Sequence, residues 1–94
     1  MIPPDVQEQL RATLLRLVAG RGAGRTVDPS EVARIVGGLQ PDGWGPLMQP
    51  LRRIAVELMK AGKIVILRRG KPVDPDSFKG VYRLSLPPDG AGNS

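Results

Sequence analysis

The chain has 94 residues with a formal net charge of +5, and it contains neither cysteine nor histidine. That length supports one domain around one modest core, and the missing residue types exclude disulfides, thiolate metal sites and histidine acid–base chemistry. No apolar run approaches the roughly 20 residues of a membrane-spanning helix, and the Met-Ile-Pro-Pro-Asp start lacks the charged and apolar regions of a signal peptide, so a soluble cytoplasmic protein is expected.

The first predicted element is a helix over 6–19. Asp5 and Glu8 have capping-box spacing, and Pro3 and Pro4 block backward extension. Val6, Leu10, Leu14, Leu17 and Val18 fall on one apolar stripe. The run Gly20-Arg21-Gly22-Ala23-Gly24 ends the helix, because glycine is costly in a helix interior.

The second helix has the clearest start. In Val27-Asp28-Pro29-Ser30-Glu31-Val32, Asp28 is the N-cap, Pro29 takes the first helical position, and Glu31 completes a capping box. Val27 and Val32 have the spacing of a hydrophobic staple. Val32, Ile35 and Val36 are its expected buried edge, and Gly37-Gly38 closes it. Residues 25–27 can form a short strand just before it. A helix this short requires packing partners.

A third helix is predicted between 46 and 61. Leu47, Leu51, Ile54, Ala55 and Leu58 share one side, with Gln49, Arg53, Val56 and Lys60 opposite and Arg52 on the flank. Pro50 gives two possible starts. Either Pro46 is the first helical residue and Pro50 distorts the first turn, or the regular helix begins near Pro50; the second is preferred. Gly62 is the expected stop.

Residues 64–67 form a β-branched run, and 81–86 alternate, with Tyr82, Leu84 and Leu86 facing one way and Val81, Arg83 and Ser85 the other. The intervening 68–80 segment is long for a hairpin loop, and Asp74-Pro75 starts a turn within it. Residues 87–94 read as a disordered tail, leaving a single domain over 1–86. The order predicts an α+β fold: a winged helix-turn-helix with three helices, then a two-stranded β-hairpin wing, and a short third strand at 25–27. Leu14, Leu17, Ile35, Leu51, Ile54, Leu58, Ile66 and Leu84 are the expected core.

The charge is unevenly placed. Residues 46–86 hold nine Lys/Arg against three acids, whereas 1–45 hold five of each sign. Cations gathered in one region are what phosphate binding requires.

Ser30-Glu31-Val32-Ala33-Arg34, then Trp44-x-x-Leu47-Met48-x-Pro50-Leu51-Arg52, then Gly62-x-Ile64-x-Ile66 with Gly70-Lys71-x-Val73-Asp74-Pro75 and Gly80-x-Tyr82-Arg83-Leu84, resemble a family of small bacterial proteins. The family is labelled only as a domain of unknown function, the one numbered thirty-two fifty-three. The resemblance covers 27–84 and implies a winged-helix-like fold without an established activity. Gly45-Pro46 departs from the longer, often basic side chain expected after Trp44, which weakens the case for an anion site in that loop.

Two groups of residues are candidates for nucleic-acid contact. Gln49, Arg53 and Lys60, flanked by Arg52, lie on the outer side of the third helix, where Arg and Gln suit guanine and adenine edges. The alternative is a solvated face with an Arg53–Glu57 pair. Arg68, Arg69, Lys71 and Lys79 surround the hairpin tip, suited to phosphates or a minor groove, or else to protecting a sheet edge. Asp74 and Asp76 are too few for calcium and fit an Asx-turn. Trp44 and Phe78 are expected to pack rather than stack on bases, and Arg83 is expected to hold Asp74. Enzymatic motifs are absent, and no cofactor, metal, small-molecule substrate or membrane partner is expected. The leading expectation is a domain that binds double-stranded DNA, in transcriptional regulation; the alternative is a protein-interaction module of the same fold.

Overall fold

A computed structural model describes residues 3–87; Met1, Ile2 and the predicted tail from 88 onward lie outside the described residues. Helix α1 spans Pro4–Arg21, α2 Pro29–Gly37, a short α3 Pro41–Trp44, and α4 Met48–Lys60, the last two joined by a 3-10 turn at Gly45–Leu47. Strands β1 (Val65–Arg68), β2 (Lys71–Pro72) and β3 (Arg83–Ser85) form one antiparallel sheet in the order β2-β1-β3. The fold is α+β and winged-helix-like.

Helix α1 is longer than predicted at both ends. Pro4 takes the first helical position, where its missing N–H has no intrahelical use, so Asp5 falls inside the first turn and caps nothing. The carbonyl of Pro3 accepts from Val6 and Gln7 N–H, both at 3.1 Å. The helix continues through Gly20 because Arg21 is fixed from outside: its guanidinium bonds Glu31 at 2.7 Å and the Thr26 carbonyl at 3.1 Å. It stops at Gly22, whose φ of 92° needs glycine.

Helix α2 starts as the sequence predicts. Asp28 accepts from the Ser30 N–H at 2.8 Å, and the Glu31 side chain accepts from the Asp28 N–H at 3.1 Å. Its buried stripe is different. Pro29, Val32 and Ala33 are buried and Val36 packs against the core, while Ile35 is 53 % exposed. The stripe is centred toward Ala33, whose small side chain permits close packing, and this rotates Ile35 out to solvent.

The connection from α2 to α4 depends on two glycines. A Cβ on Gly37 would lie 2.4 Å from the Gly43 carbonyl oxygen, and one on Gly43 would lie 2.1 Å from that of Gly37. The end of α2 and the start of α3 therefore meet backbone to backbone. Helix α4 begins at Met48, two residues before the preferred start and two after Pro46. Pro50 sits in its first turn, where helix N–H groups have no intrahelical acceptor, so the ring is accommodated without loss of a bond.

The wing differs most from expectation. Strand β1 pairs with β3 as predicted, with Val65 opposite Ser85 and Leu67 opposite Arg83. Residues 68–80 are not one loop, however. The chain reverses at Arg69-Gly70, both with positive φ (55° and 80°), pairs β2 with β1, and only then returns to β3. Two consecutive positive-φ residues define the type I′ geometry whose twist matches a hairpin. The predicted strand at 25–27 is reduced to one bridge, Val27 with Leu84, with N–H···O distances of 2.7 and 2.9 Å. That segment covers Ser85, which is buried rather than outward and donates to the Arg25 carbonyl at 3.0 Å.

One core joins these elements. Leu10, Leu14 and Val18 of α1 meet Val32 of α2, Leu51, Ile54 and Leu58 of α4, and Ile66 and Leu84 of the sheet. Leu17, expected in the core, lies partly buried at its edge.

Candidate nucleic-acid interface

Helix α4 buries Leu51, Ile54, Ala55 and Leu58 against the body, which turns Gln49, Arg53 and Lys60 outward, all exposed. Val56 lies between them and is half-buried against the core. The Arg53–Glu57 pair of the alternative reading does not form. Glu57 bonds Arg11 of α1 at 3.2 Å instead, because the rotation of α4 sets it toward that helix.

The segment following β2 lies along α4 and engages two of the predicted contact residues. Arg52 places its guanidinium 3.8 Å from the Phe78 ring centroid and also donates to the Phe78 carbonyl oxygen. Phe78 is buried and meets Tyr82 edge-on at 5.3 Å, so Arg52 helps hold this segment on the body. Lys60 Nζ lies 2.6 Å from the Asp76 carboxylate. Asp74 accepts the Asp76 N–H at 2.9 Å, forming the expected Asx-turn.

A third candidate is also occupied. Arg68 donates through Nε to the Val81 carbonyl at 2.9 Å, and its guanidinium lies against Gly80, where a Cβ would be 3.0 Å from Nη2. It ties the base of the wing together. The exposed side chains of Gln49, Arg53, Arg69, Lys71 and Lys79 make no hydrogen bond or ion pair among the described residues. Four of these five are cations: one on α4, two at the hairpin tip and one in the return segment.

Arg83 does not hold Asp74. Its Nε donates to Thr26 Oγ1 at 2.8 Å, and Nη1 lies 3.5 Å from Asp28 Oδ2. The bridge between Val27 and Leu84 brings Arg83 alongside residues 26 and 28, where it braces the α2 cap. Trp44 is half-buried at the end of α3, with the Arg34 guanidinium 4.8 Å from its ring. The Arg21–Glu31 pair is not legible in the sequence: capping-box spacing marks Glu31 as a cap residue, and nothing local marks its second partner. The bond from Arg21, then that from the Asp28 N–H, hold the Glu31 carboxyl below the usual carboxylate range, against the opposing effect of burial. Burial pushes the Tyr82 phenol up to about 12, and its hydroxyl has no hydrogen-bond partner among the described residues.

No group of three or more metal-ligating side chains occurs among the described residues, and no helix there is long and apolar enough to cross a membrane. The candidate site is a discontinuous set of exposed cations on a helix and a hairpin, on elements secured by Arg52, Lys60 and Arg68. The class it defines is a small winged-helix-like domain with a basic helix and wing. The chain belongs to the family described as "Protein of unknown function (DUF3253)", whose model matches residues 7–87. No curated protein matches it.

Proposed function

We propose that this chain is a cytoplasmic duplex-DNA-binding domain acting in transcriptional regulation. The outer face of α4 enters the major groove, and the wing lies against the backbone. One observation carries this reading: Arg53, Arg69, Lys71 and Lys79 are exposed and make no intramolecular hydrogen bond or ion pair, while Arg52, Lys60 and Arg68 secure the elements that present them. A cation committed to a carbonyl or carboxylate is less available to a phosphate, whereas a free one can neutralise it and release condensed counterions. Gln49 and Arg53 are the base-reading candidates on α4; the wing cations position the duplex.

Fluorescence anisotropy on mixed-sequence duplexes at several salt concentrations tests the proposal. Four cations on the duplex, whether against a phosphate or in a groove, predict a slope of log K against log[salt] of about −3.6, from roughly −0.9 per phosphate charge neutralised. Replacing Arg69 and Lys71 together should flatten it by about 1.8, while replacing Arg53 should change the order of preferred sequences. Absence of binding at about 50 mM salt, with the protein folded and monodisperse, overturns the reading. A protein-docking module is then the better account, favoured by exposed Ile35 and by Leu39 and Val81, each 81 % exposed.

A further inference from the structure

The tip of the wing carries a conformational anomaly. Arg69 is the one non-glycine residue with positive φ among the described residues, at 55°, followed by Gly70 at 80°. A two-residue turn of this kind favours Asn or Asp before glycine, because short polar side chains tolerate the left-handed region. A long side chain with an ordinary Cβ is disfavoured there. Folding alone gives no reason for arginine at this position: the Arg69 side chain is exposed and makes no intramolecular hydrogen bond, ion pair or ring contact.

Its neighbours are arranged differently. Arg68, the residue before it, is held by the Val81 carbonyl at 2.9 Å, so it is anchored at the base. Lys71 pairs in register with Arg68 on the adjacent strand, and Pro72 ends β2 directly behind it. The hairpin thus ends in a two-residue tip carrying one free guanidinium, with Lys71 behind it. A tip of this size matches a minor groove, which at about 6 Å wide admits a side chain but not a helix or ribbon. Helix α4, in contrast, has the dimensions of a major-groove element.

We infer that Arg69 is a specificity-determining residue of the proposed DNA site, placing its guanidinium in the minor groove and favouring A·T-rich duplex. This rests on the DNA-binding reading and adds to it the groove and the base-pair class. A·T tracts have a narrow minor groove with an enhanced negative potential. Guanidinium is more weakly hydrated than ammonium, so it enters that groove with less loss of solvation. In a G·C pair the guanine 2-amino group projects into the same groove and presents a donor where arginine needs an acceptor. The disfavoured backbone conformation is maintained because the turn requires it, and arginine occupies it because the ligand does.

The test uses the full chain, its Arg69→Asn and Arg69→Lys variants, and three duplexes that differ in a central tract: A·T, G·C, and inosine·C. Inosine·C keeps most of the G·C major-groove pattern but lacks the minor-groove amino group. The native chain should bind the A·T and inosine·C duplexes about tenfold more tightly than the G·C duplex, within the range of a single base-pair discrimination. Arg69→Asn restores the favoured turn sequence, so it should melt no lower than the native chain while losing that tenfold preference. Arg69→Lys should keep the salt slope and lose most of the preference.

Inosine·C binding like G·C places the discrimination in the major groove and overturns the inference. So does an equal loss by Arg69→Asn on all three duplexes, which makes Arg69 an ordinary phosphate contact. If the native chain binds none of the duplexes, the DNA-binding reading itself fails, a result distinct from binding without preference.

Discussion

At the N-cap of α2 a single carboxylate serves both the helix start and the sheet. Asp28 Oδ1 accepts from the Ser30 N–H at 2.8 Å and from the Ser30 hydroxyl at 2.7 Å, while Oδ2 faces Arg83 at 3.5 Å. Replacing Asp28 by Ala removes the cap, which costs about 0.5–2 kcal/mol. It also removes the Arg83 pair; both partners are nearly half exposed, so that share is at most about 1 kcal/mol. Together the loss is about 0.5–3 kcal/mol. For a domain of this size each kcal/mol lowers the melting temperature by about 4–8 °C. Asp28→Asn separates the two shares, since it keeps an acceptor for the helix N–H and drops the charge. Circular dichroism melts and urea titrations should place Asp28→Asn well above Asp28→Ala and within about 1 kcal/mol of the native chain. Equal losses for the two variants would refute the capping argument and assign the whole effect to Arg83. No loss in Asp28→Ala would show that a nine-residue helix is held by packing alone.

Three further outcomes can be measured in the same way. Leu58→Ala, at a nearly fully buried position facing the core, should cost about 2–5 kcal/mol in urea unfolding, a large part of a small domain's stability. Gly43→Ala should destabilise by about 1–3 kcal/mol or more, because its Cβ would lie 2.1 Å from the Gly37 carbonyl oxygen, whereas Gly45→Ala, with no atom within 4 Å and a helical backbone, should be tolerated. Tyr82→Phe removes a buried hydroxyl that has no partner, so it should be neutral or stabilising by about 1 kcal/mol. The Tyr82 phenol is raised from 10.0 to about 12 in the folded chain, so the unfolded chain releases its proton first as pH rises. The stability it contributes is complete below pH ~10 and declines by about 2–3 kcal/mol as pH rises to ~12. The Phe variant should lack that component of the alkaline decline.

What could be read from the sequence was carried by local chemistry. Asp28-Pro29-x-Glu31 specifies a helix start whatever surrounds it, and the apolar spacing of α4 fixes which side is buried. The β1–β3 pairing follows from a β-branched run at 64–67 and an alternating one at 81–86. The failures are non-local. Gly37-Gly38 reads as a stop signal, and nothing in those letters says that Gly37 must touch Gly43. Ile35 and Val32 are equally apolar, and it is Ala33, through the close approach it allows, that decides which of them turns inward. The β1–β2 turn was missed because Arg-Gly is not a usual sequence for it, the same oddity that singles out Arg69. An acid in the wing loop and an arginine on the returning strand suggest an Arg83–Asp74 pair, whereas the bridge between Val27 and Leu84 places Arg83 against residues more than fifty positions away.

The candidate interface illustrates a related limit of charge counting. Seven of the eight predicted contact residues are cations, and counted equally they imply a salt slope of about −6.3, against about −3.6 for the four that are free. The difference arises because a folded chain uses arginine and lysine to satisfy its own oxygen atoms: Arg52 and Arg68 bond backbone carbonyls, and Lys60 pairs with Asp76. These three cations do not share one energetic position. The Lys60–Asp76 pair is substantially exposed on both sides, so exchanging the carboxylate for a phosphate costs little. Arg52 is tied to a buried aromatic and to a carbonyl at once, so its release would also undo packing. A measured slope near −4.5 would therefore indicate Lys60 leaving Asp76 for the duplex, and Asp76→Asn should produce the same increment by freeing Lys60 in advance. A slope near −6 would require Arg52 and Arg68 to leave their carbonyls too, which should appear as a lower melting temperature for their alanine variants without DNA and as lost slope with it. A slope that stays near −3.6 in both the native chain and Asp76→Asn assigns the wing and Arg53 the whole electrostatic contribution.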